Sequence, residues 1–149
     1  ERVWAYLTQS DLRRKWLAAG KMELVVGAPF ELTWRNDELT STPGRRPENF
    51  AEEQSMRSEI TEVDPPRRLS FTWASTGDVT LELEPFGNNK TLLTVSHRRI
   101  VDHGMQLDIS AGWHAHLDTL MALLSGGEPQ AFWDRWSSLR QEYERRLPA

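Results

Sequence analysis

The spacing of apolar residues changes along this chain, and that change constrains the fold more than any other feature. Between residues 22 and 99, short runs alternate apolar with polar residues, as in residues 30 to 35. Alternation of this kind is typical of strands that bury one face. Between residues 105 and 125, apolar residues recur at helical spacing instead. We therefore predict an α+β fold in which one antiparallel sheet spans residues 22 to 99 and a long helix at 105 to 125 packs across its concave face.

Turn residues divide the first half of the pattern. A short helix is predicted at Val3 to Leu7 and a second at Asp11 to Leu17, with Ser10 as its cap. Residues 22 to 26 and 30 to 34 are predicted to pair as a hairpin around Gly27-Ala28-Pro29. The next two strands are predicted at residues 56 to 63 and around residues 69 to 73.

The Ser75-Thr76-Gly77 and Gly87-Asn88-Asn89 turns predict two more strands, around residues 79 to 84 and 93 to 97. Gly126-Gly127 is predicted to end the long helix, and Pro129 to start a final one. The final helix carries a stripe of five apolar residues, which are Phe132, Trp136, Leu139, Tyr143 and Leu147.

A polar stretch at residues 36 to 54 interrupts the predicted sheet and is longer than a hairpin connection. Leu39 and Phe50 are its few apolar residues. We predict a lid or a disordered flap that is more mobile than the flanking strands, with Phe50 as its only firm anchor.

Charge and composition exclude several function classes. The net charge of -4 and the isoelectric point near 5.6 leave no basic field for a phosphate backbone, so we expect no nucleic acid partner. The chain has no cysteine, which excludes disulfides and thiolate metal sites and fits a reducing compartment. No apolar run approaches the ~20 residues of a membrane span, and no signal-peptide order opens the chain. We expect a cytoplasmic protein without a membrane contact.

The 149 residues suit one domain over 1–149 with one sizeable core. Seven strings occur in a characteristic order, which are Glu1-Arg2-Val3-Trp4, Arg14-Lys15-Trp16-Leu17, Glu62-Val63-Asp64-Pro65-Pro66-Arg67-Arg68-Leu69, Phe71-Thr72-Trp73, Val79-Thr80-Leu81-Glu82-Leu83-Glu84-Pro85, Leu93-Thr94-Val95-Ser96-His97 and Gly112-Trp113. Through these strings the chain resembles the START-like (SRPBCC, helix-grip) superfamily, in its branch similar to the activator of heat-shock-protein-90 ATPase homologue.

The resemblance implies a curved antiparallel sheet wrapped around a long C-terminal helix, after two short N-terminal helices. The family has one more strand at its start, so we expect this chain to begin inside a longer product. The insertion at 36 to 54 and the extra terminal helix depart from the shortest members. Function does not follow, because the superfamily includes lipid carriers, hormone receptors, cyclases and co-chaperone modules.

A sheet curled around one helix leaves a concave space, and large aromatic residues predicted to face it are typical of a pocket for apolar ligands. His97 shares the inward face of Leu93 and Val95, so it is the best candidate for orienting a polar group of the ligand. His114 flanks the helix stripe. The predicted ligand-binding residues are Trp16, Trp34, Phe71, Trp73, His97, Trp113, His114, Leu117 and Met121.

Other chemistries find less support. His114 and His116 project about 200° apart on a helix, so they cannot chelate one ion together. No G-x-S-x-G string or glycine-rich phosphate loop is present. We therefore predict no metal site, no cofactor and no nucleophilic catalysis.

Three functions remain. The leading hypothesis is a domain that binds or senses a small hydrophobic molecule. The first alternative is a co-chaperone-like module with a protein partner, and the second is an enzyme that uses His97 or His114 in acid/base work. Because Trp133, Trp136 and Tyr143 exceed what one stripe needs, we also expect part of the last helix to pack against a second subunit as a homodimer.

Overall fold

A computed structural model describes residues 2–73, 77–88, 90–100 and 102–147. Its elements are α1 (Arg2–Thr8), α2 (Ser10–Arg13), β1 (Pro29–Trp34), β2 (Gln54–Asp64), β3 (Arg68–Trp73), β4 (Gly77–Pro85), β5 (Thr91–Arg98), α3 (His103–Ser125) and α4 (Phe132–Arg146). The five strands form one sheet in the order β1-β2-β3-β4-β5. The predicted α+β class and the helix-grip order of elements are confirmed.

The chain divides into two compact units. The first unit comprises the described residues within 1–13, 19–33 and 55–100, and the second those within 14–18, 34–54 and 101–149. The prediction of a single domain over 1–149 and the prediction that the long helix packs on the sheet both stay predictions.

The first unit contains most of the sheet and the two short helices. The ladders between β2 and β3, β3 and β4, and β4 and β5 are antiparallel, with a register shift between Ile60 and Glu62. One sheet face buries apolar residues from successive strands, such as Ile60, Phe71 and Val79, because side chains alternate between faces. The predicted turn at residues 75 and 76, and Asn89 of the next turn, lie outside the described residues.

The predicted hairpin at residues 22 to 26 is wrong. These residues form no strand, and Val25 and Val26 are exposed. Ala19 instead bridges the edge of β1 at Thr33, with both backbone hydrogen bonds 2.9 Å long. The backbone N–H and C=O of Thr33, which the predicted hairpin would need, are thus already bonded to Ala19. The sheet starts at Pro29.

α2 is shorter than predicted because a buried arginine ends it, whereas α1 extends one residue beyond the predicted Val3 to Leu7 at each end. α2 stops at Arg13, and the Arg13 guanidinium donates to the carbonyl oxygens of Leu7, Thr8 and Gly20. Two of these carbonyls lie at the end of α1, so Arg13 satisfies groups that a helix terminus leaves without an internal partner. Ser10 does not act as the cap before α2; its hydroxyl accepts from the backbone N–H of Gly20 at 2.9 Å.

The second unit is built on the pair α3 and α4. Arg140 Nε donates to Asp108 Oδ1 at 2.6 Å, and Arg135 Nε donates to Asp118 Oδ2 at 2.8 Å. In addition to these ion pairs, α4 buries four apolar residues, which are Phe132, Trp133, Trp136 and Leu139. α4 begins at Phe132 rather than at Pro129 as predicted.

Residues 36–54, here called the strap, also belong to this unit, and they are anchored far more firmly than predicted. Leu39 and Thr40 are buried, and the ring of Phe50 lies 5.4 Å from that of Trp133 and 5.0 Å from that of Trp136. The expectation that Phe50 is the only anchor is therefore wrong.

Polar contacts add to this docking. Asp37 accepts a hydrogen bond from Trp133 Nε1 at 2.7 Å and forms an ion pair with Arg46. Ala131, the residue before α4, has no side chain that can cap the helix, so the strap supplies the caps. Thr40 Oγ1 accepts from the backbone N–H of Phe132 at 3.1 Å, and the carbonyl of Pro43 accepts from that of Trp133 at 3.0 Å.

The strap also explains the surplus of aromatic residues on α4. Trp133 and Trp136 are buried against it and against the rest of the second unit. These side chains therefore give no reason to expect a second subunit, and the homodimer stays a prediction without this support.

Candidate functional site

The candidate site lies on the sheet face that the first unit buries. Antiparallel register aligns one row of side chains across three strands, because Phe71 pairs with Val79 and Val79 pairs with His97. Phe71 and Val79 are buried, whereas His97 is half-exposed. The alternation therefore places His97 on the apolar face of the sheet, as predicted from the sequence.

Trp73 and His97 are in direct ring contact at one end of this face. Their centroids lie 4.9 Å apart with an interplanar angle of 63°, an edge-to-face arrangement. Both side chains are half-exposed, although Phe71, two residues before Trp73 on the same strand, is buried. A flat aromatic surface with one polar ring therefore remains partly accessible at this end of an apolar face.

Burial lowers the pKa of the His97 imidazole below its usual value, and the Asp78 carboxylate opposes this shift. The imidazole is consequently neutral at pH 7, with one nitrogen that donates and one that accepts. Such a ring can bind either a hydroxyl or a carbonyl without placing a charge beside Trp73.

Gly77 leaves room for the His97 ring. A β-carbon at Gly77 would lie 3.2 Å from His97 Nε2, 3.2 Å from the Arg98 carbonyl oxygen and 3.4 Å from Trp73 Cβ. A side chain there would crowd the His97 imidazole and the Arg98 carbonyl, so the glycine favours the position in which His97 contacts Trp73.

A second aromatic contact joins β1 and β3 across β2. The rings of Phe30 and Phe71 meet edge to face, with centroids 5.5 Å apart, although β2 separates their strands. Ser58 of β2 is buried among these strands, and its hydroxyl has no hydrogen-bond partner within the described part of the chain.

The structure places the predicted site residues in two groups. Phe71, Trp73 and His97 come together in the first unit. The other six lie in the second unit, and they differ in exposure: Trp16 and Trp113 are buried, Trp34, His114 and Leu117 are half-buried, and Met121 is 70% exposed. The predicted role of all nine in one ligand cavity stays a prediction.

Two of the helix residues have contacts that the sequence did not indicate. His114 Nδ1 lies 2.9 Å from the Tyr143 hydroxyl, and its Nε2 lies 3.9 Å from Asp118. Met121 lines an open groove of about 430 Å³ together with Ala122 and Phe132. His114 thus joins α3 to α4, and Met121 lies at the surface of the second unit.

His116 was considered above only as a metal ligand, and its place in the core was not predicted. This residue is fully buried, and burial lowers the pKa of its imidazole to about 4. Its Nδ1 lies 2.7 Å from the carbonyl oxygen of Trp16, so Nδ1 carries the proton and donates it. The signal was present, since His116 shares a helix face with Trp113 and Leu120 at spacings of three and four.

The described residues contain no group of three or more metal-ligating side chains close enough to hold an ion. Within those same ranges, no helix has the length and apolar content needed to cross a membrane.

Comparisons with known proteins add a family relationship. A family model described as Activator of Hsp90 ATPase homolog 1-like protein matches residues 1–125. The solution structure of the protein encoded by gene BPP1335 of Bordetella parapertussis is 35% identical, and the match covers 99% of this chain and 80% of that one, with a TM-score of 0.81. A search of curated protein sequences found no match.

More distant structures share the fold alone. CalU16 from Micromonospora echinospora is 20% identical with a TM-score of 0.67, over 99% of this chain and 81% of that one. The AHSA1-like protein from Aeromonas hydrophila is 19% identical with a TM-score of 0.58, over 83% of this chain and 84% of that one.

Proposed function

This chain belongs to the family of Activator of Hsp90 ATPase homolog 1-like proteins, and we propose that it binds a small, largely apolar molecule on the sheet face that carries Trp73 and His97. The observation that supports this function is the ring contact between these two partly exposed residues, 4.9 Å between centroids, at the end of a face whose middle buries Ile60, Phe71 and Val79. We place the protein in the cytoplasm, in agreement with its lack of cysteine.

The chemistry of the pair favours a ligand with an apolar body and one polar group. The indole of Trp73 offers a large flat area that gains free energy when an apolar molecule covers it. The neutral imidazole of His97 adds one directional hydrogen bond, which rejects analogues that leave it without a partner. We therefore assign Trp73 the role of apolar contact and His97 the role of orienting the ligand.

Nuclear magnetic resonance titration with 2-naphthol tests this function on the whole chain. The indole N–H resonance of Trp73 should shift saturably as the probe is added. Trp133 serves as the internal control, because its indole N–H is buried and bonded to Asp37. A titration in which no indole resonance saturates, or in which Trp73 and Trp133 shift alike, would overturn the proposal.

Two variants separate binding from folding. Trp73→Ala should weaken 2-naphthol binding at least tenfold, yet cost less than the ~3 to 5 kcal/mol of unfolding free energy typical of deleting a packed aromatic, because Trp73 is half-exposed. Trp73→Phe should retain part of the affinity. A full core-type loss of stability in Trp73→Ala, with probe affinity unchanged, would show that Trp73 only fills the interior.

A further inference from the structure

Ser58 is a buried hydroxyl that the described residues leave without a hydrogen-bond partner. Its side chain belongs to β2, only 6% of the residue is exposed, and its Oγ accepts and donates no hydrogen bond there. A buried hydroxyl in this state destabilises the folded chain, because it has lost its bonds to water and gained none. Native proteins seldom retain such a group without a reason.

Ser70, in the neighbouring strand β3, shows that the sheet can satisfy a serine of equal burial. It is also 6% exposed, but its hydroxyl lies 2.9 Å from Thr80 Oγ1 and donates to Glu62 at 3.3 Å. The two serines therefore differ in hydrogen bonding and not in burial.

The register shows where Ser58 lies. Ser58 shares a strand face with Ile60, which pairs with Phe71. The paired residues end at Ile60 and Phe71, and beyond them the backbone N–H of Glu59 donates to the Thr72 hydroxyl at 2.9 Å, which keeps the two strands in contact. Extending the register by two residues brings Ser58 toward Trp73, on the face where Trp73 meets His97.

We propose that Ser58 is a second hydrogen-bonding residue of the ligand site, and that it recognises a neutral hydroxyl or ketone on a small aromatic or alicyclic molecule. This rests on the proposed binding function. The group must be neutral because the rings of Phe30 and Phe71 meet beside β2, and an ionised carboxylate in such surroundings would lose its hydration without compensation. Trp73 is partly exposed, so a displacement of its indole would admit the ligand to Ser58.

The experiment compares three probes and two matched variants. Calorimetric or resonance titrations with 2-naphthol, naphthalene and 2-naphthoate are made on the wild-type chain, Ser58→Ala and Ser70→Ala. The wild type should bind 2-naphthol at least tenfold more tightly than naphthalene or 2-naphthoate. Ser58→Ala should reduce the preference for 2-naphthol over naphthalene to less than threefold, while Ser70→Ala leaves it unchanged.

Thermal unfolding without probe gives a second readout. Ser58→Ala should raise the melting temperature, because it removes an unsatisfied hydroxyl at almost constant volume, and Ser70→Ala should lower it. If Ser58→Ala folds poorly, Ser58→Cys, which replaces the hydroxyl by a somewhat larger thiol that is a weaker donor, should also reduce the preference.

The possible results separate the role of Ser58 from the proposed binding function. A wild type that binds none of the probes refutes the proposed function together with the role of Ser58. If the wild type binds naphthalene and 2-naphthol, and the preference for 2-naphthol persists in Ser58→Ala and Ser58→Cys, only the assignment of Ser58 is overturned. A lower melting temperature in Ser58→Ala also overturns it, since the hydroxyl would then have a partner in the free protein.

Discussion

Protonation of His116 should couple the stability of this protein to pH. Burial lowers the pKa of its imidazole from about 6.5 to about 4. In the unfolded chain the group regains its usual pKa, so between pH 6.5 and pH 4 the unfolded state binds more protons than the folded state. Stability is therefore complete above about pH 6.5 and decreases as the pH falls toward 4.

The size of the effect follows from the shift. A difference of about 2.5 pKa units corresponds to about 3 kcal/mol of unfolding free energy when the pH lies below both values, and about 2 kcal/mol of this is lost by pH 5. The imidazole is held in this position, because its Nδ1 donates to the carbonyl oxygen of Trp16 and its ring centroid lies 4.7 Å from that of Phe132.

Urea unfolding at pH 8 and pH 5 measures this contribution in the wild type and in His116→Asn. Asparagine places an amide N–H near the position of Nδ1 and does not titrate. At pH 8 the variant should be less stable by about 2 kcal/mol, because the ring no longer fills its site. At pH 5 the difference between the two proteins should shrink by about 2 kcal/mol, since only the wild type loses the histidine contribution. A difference that is equal at both pH values would refute the reasoning, whatever the other titrating groups contribute.

Two further predictions concern the strap and the N-terminal helices. Asp37→Asn removes the negative charge that contacts both Trp133 and Arg46, so it should lower the free energy of unfolding by about 1 to 2 kcal/mol and speed proteolysis within the strap. Glu38→Gln, in the same short turn, should do neither. Equal cleavage of both variants would contradict the docking of the strap through Asp37. Arg13→Met leaves three carbonyl oxygens without this donor, so it should lower the free energy of unfolding in urea by about 2 to 4 kcal/mol. The same change at the exposed Arg14 should lower it by less than about 0.5 kcal/mol. A similarly small loss in both variants would show that the carbonyls find other partners.

The sheet and the long helix could be predicted because their signals are local. In β4 every second residue from Gly77 to Leu83 is buried. α3 starts after an aspartate N-cap, Asp102, whose carboxylate accepts a hydrogen bond from the backbone N–H of Met105, and it ends at Gly126 in a left-handed conformation. Alternation alone did not suffice at residues 22 to 26. Those residues have the same period as β1, but whether they form a strand depended on Ala19, which occupies the edge beside Thr33.

The strap shows the same limit over a longer distance. Its polar composition predicted a lid or flap, since nothing within residues 36 to 54 reveals that Asp37 and Thr40 have partners more than 90 positions later. In return, α4 receives its N-terminal caps from the strap and not from its own flanking residue, Ala131. The docking of the strap therefore depends on contacts between the strap and α4, and the sequence pattern of either segment alone cannot reveal it.

The candidate site combines both kinds of information. The sequence by itself determined the family, the sheet, and the face on which Phe71, Trp73 and His97 lie, because side-chain direction in a strand follows from position. Only the tertiary structure decided which polar groups on buried faces have partners. Ser58 and Ser70 have the same side chain and the same exposure, yet among the described residues only the Ser70 hydroxyl has a partner, since hydrogen bonding depends on the distance to atoms of other strands.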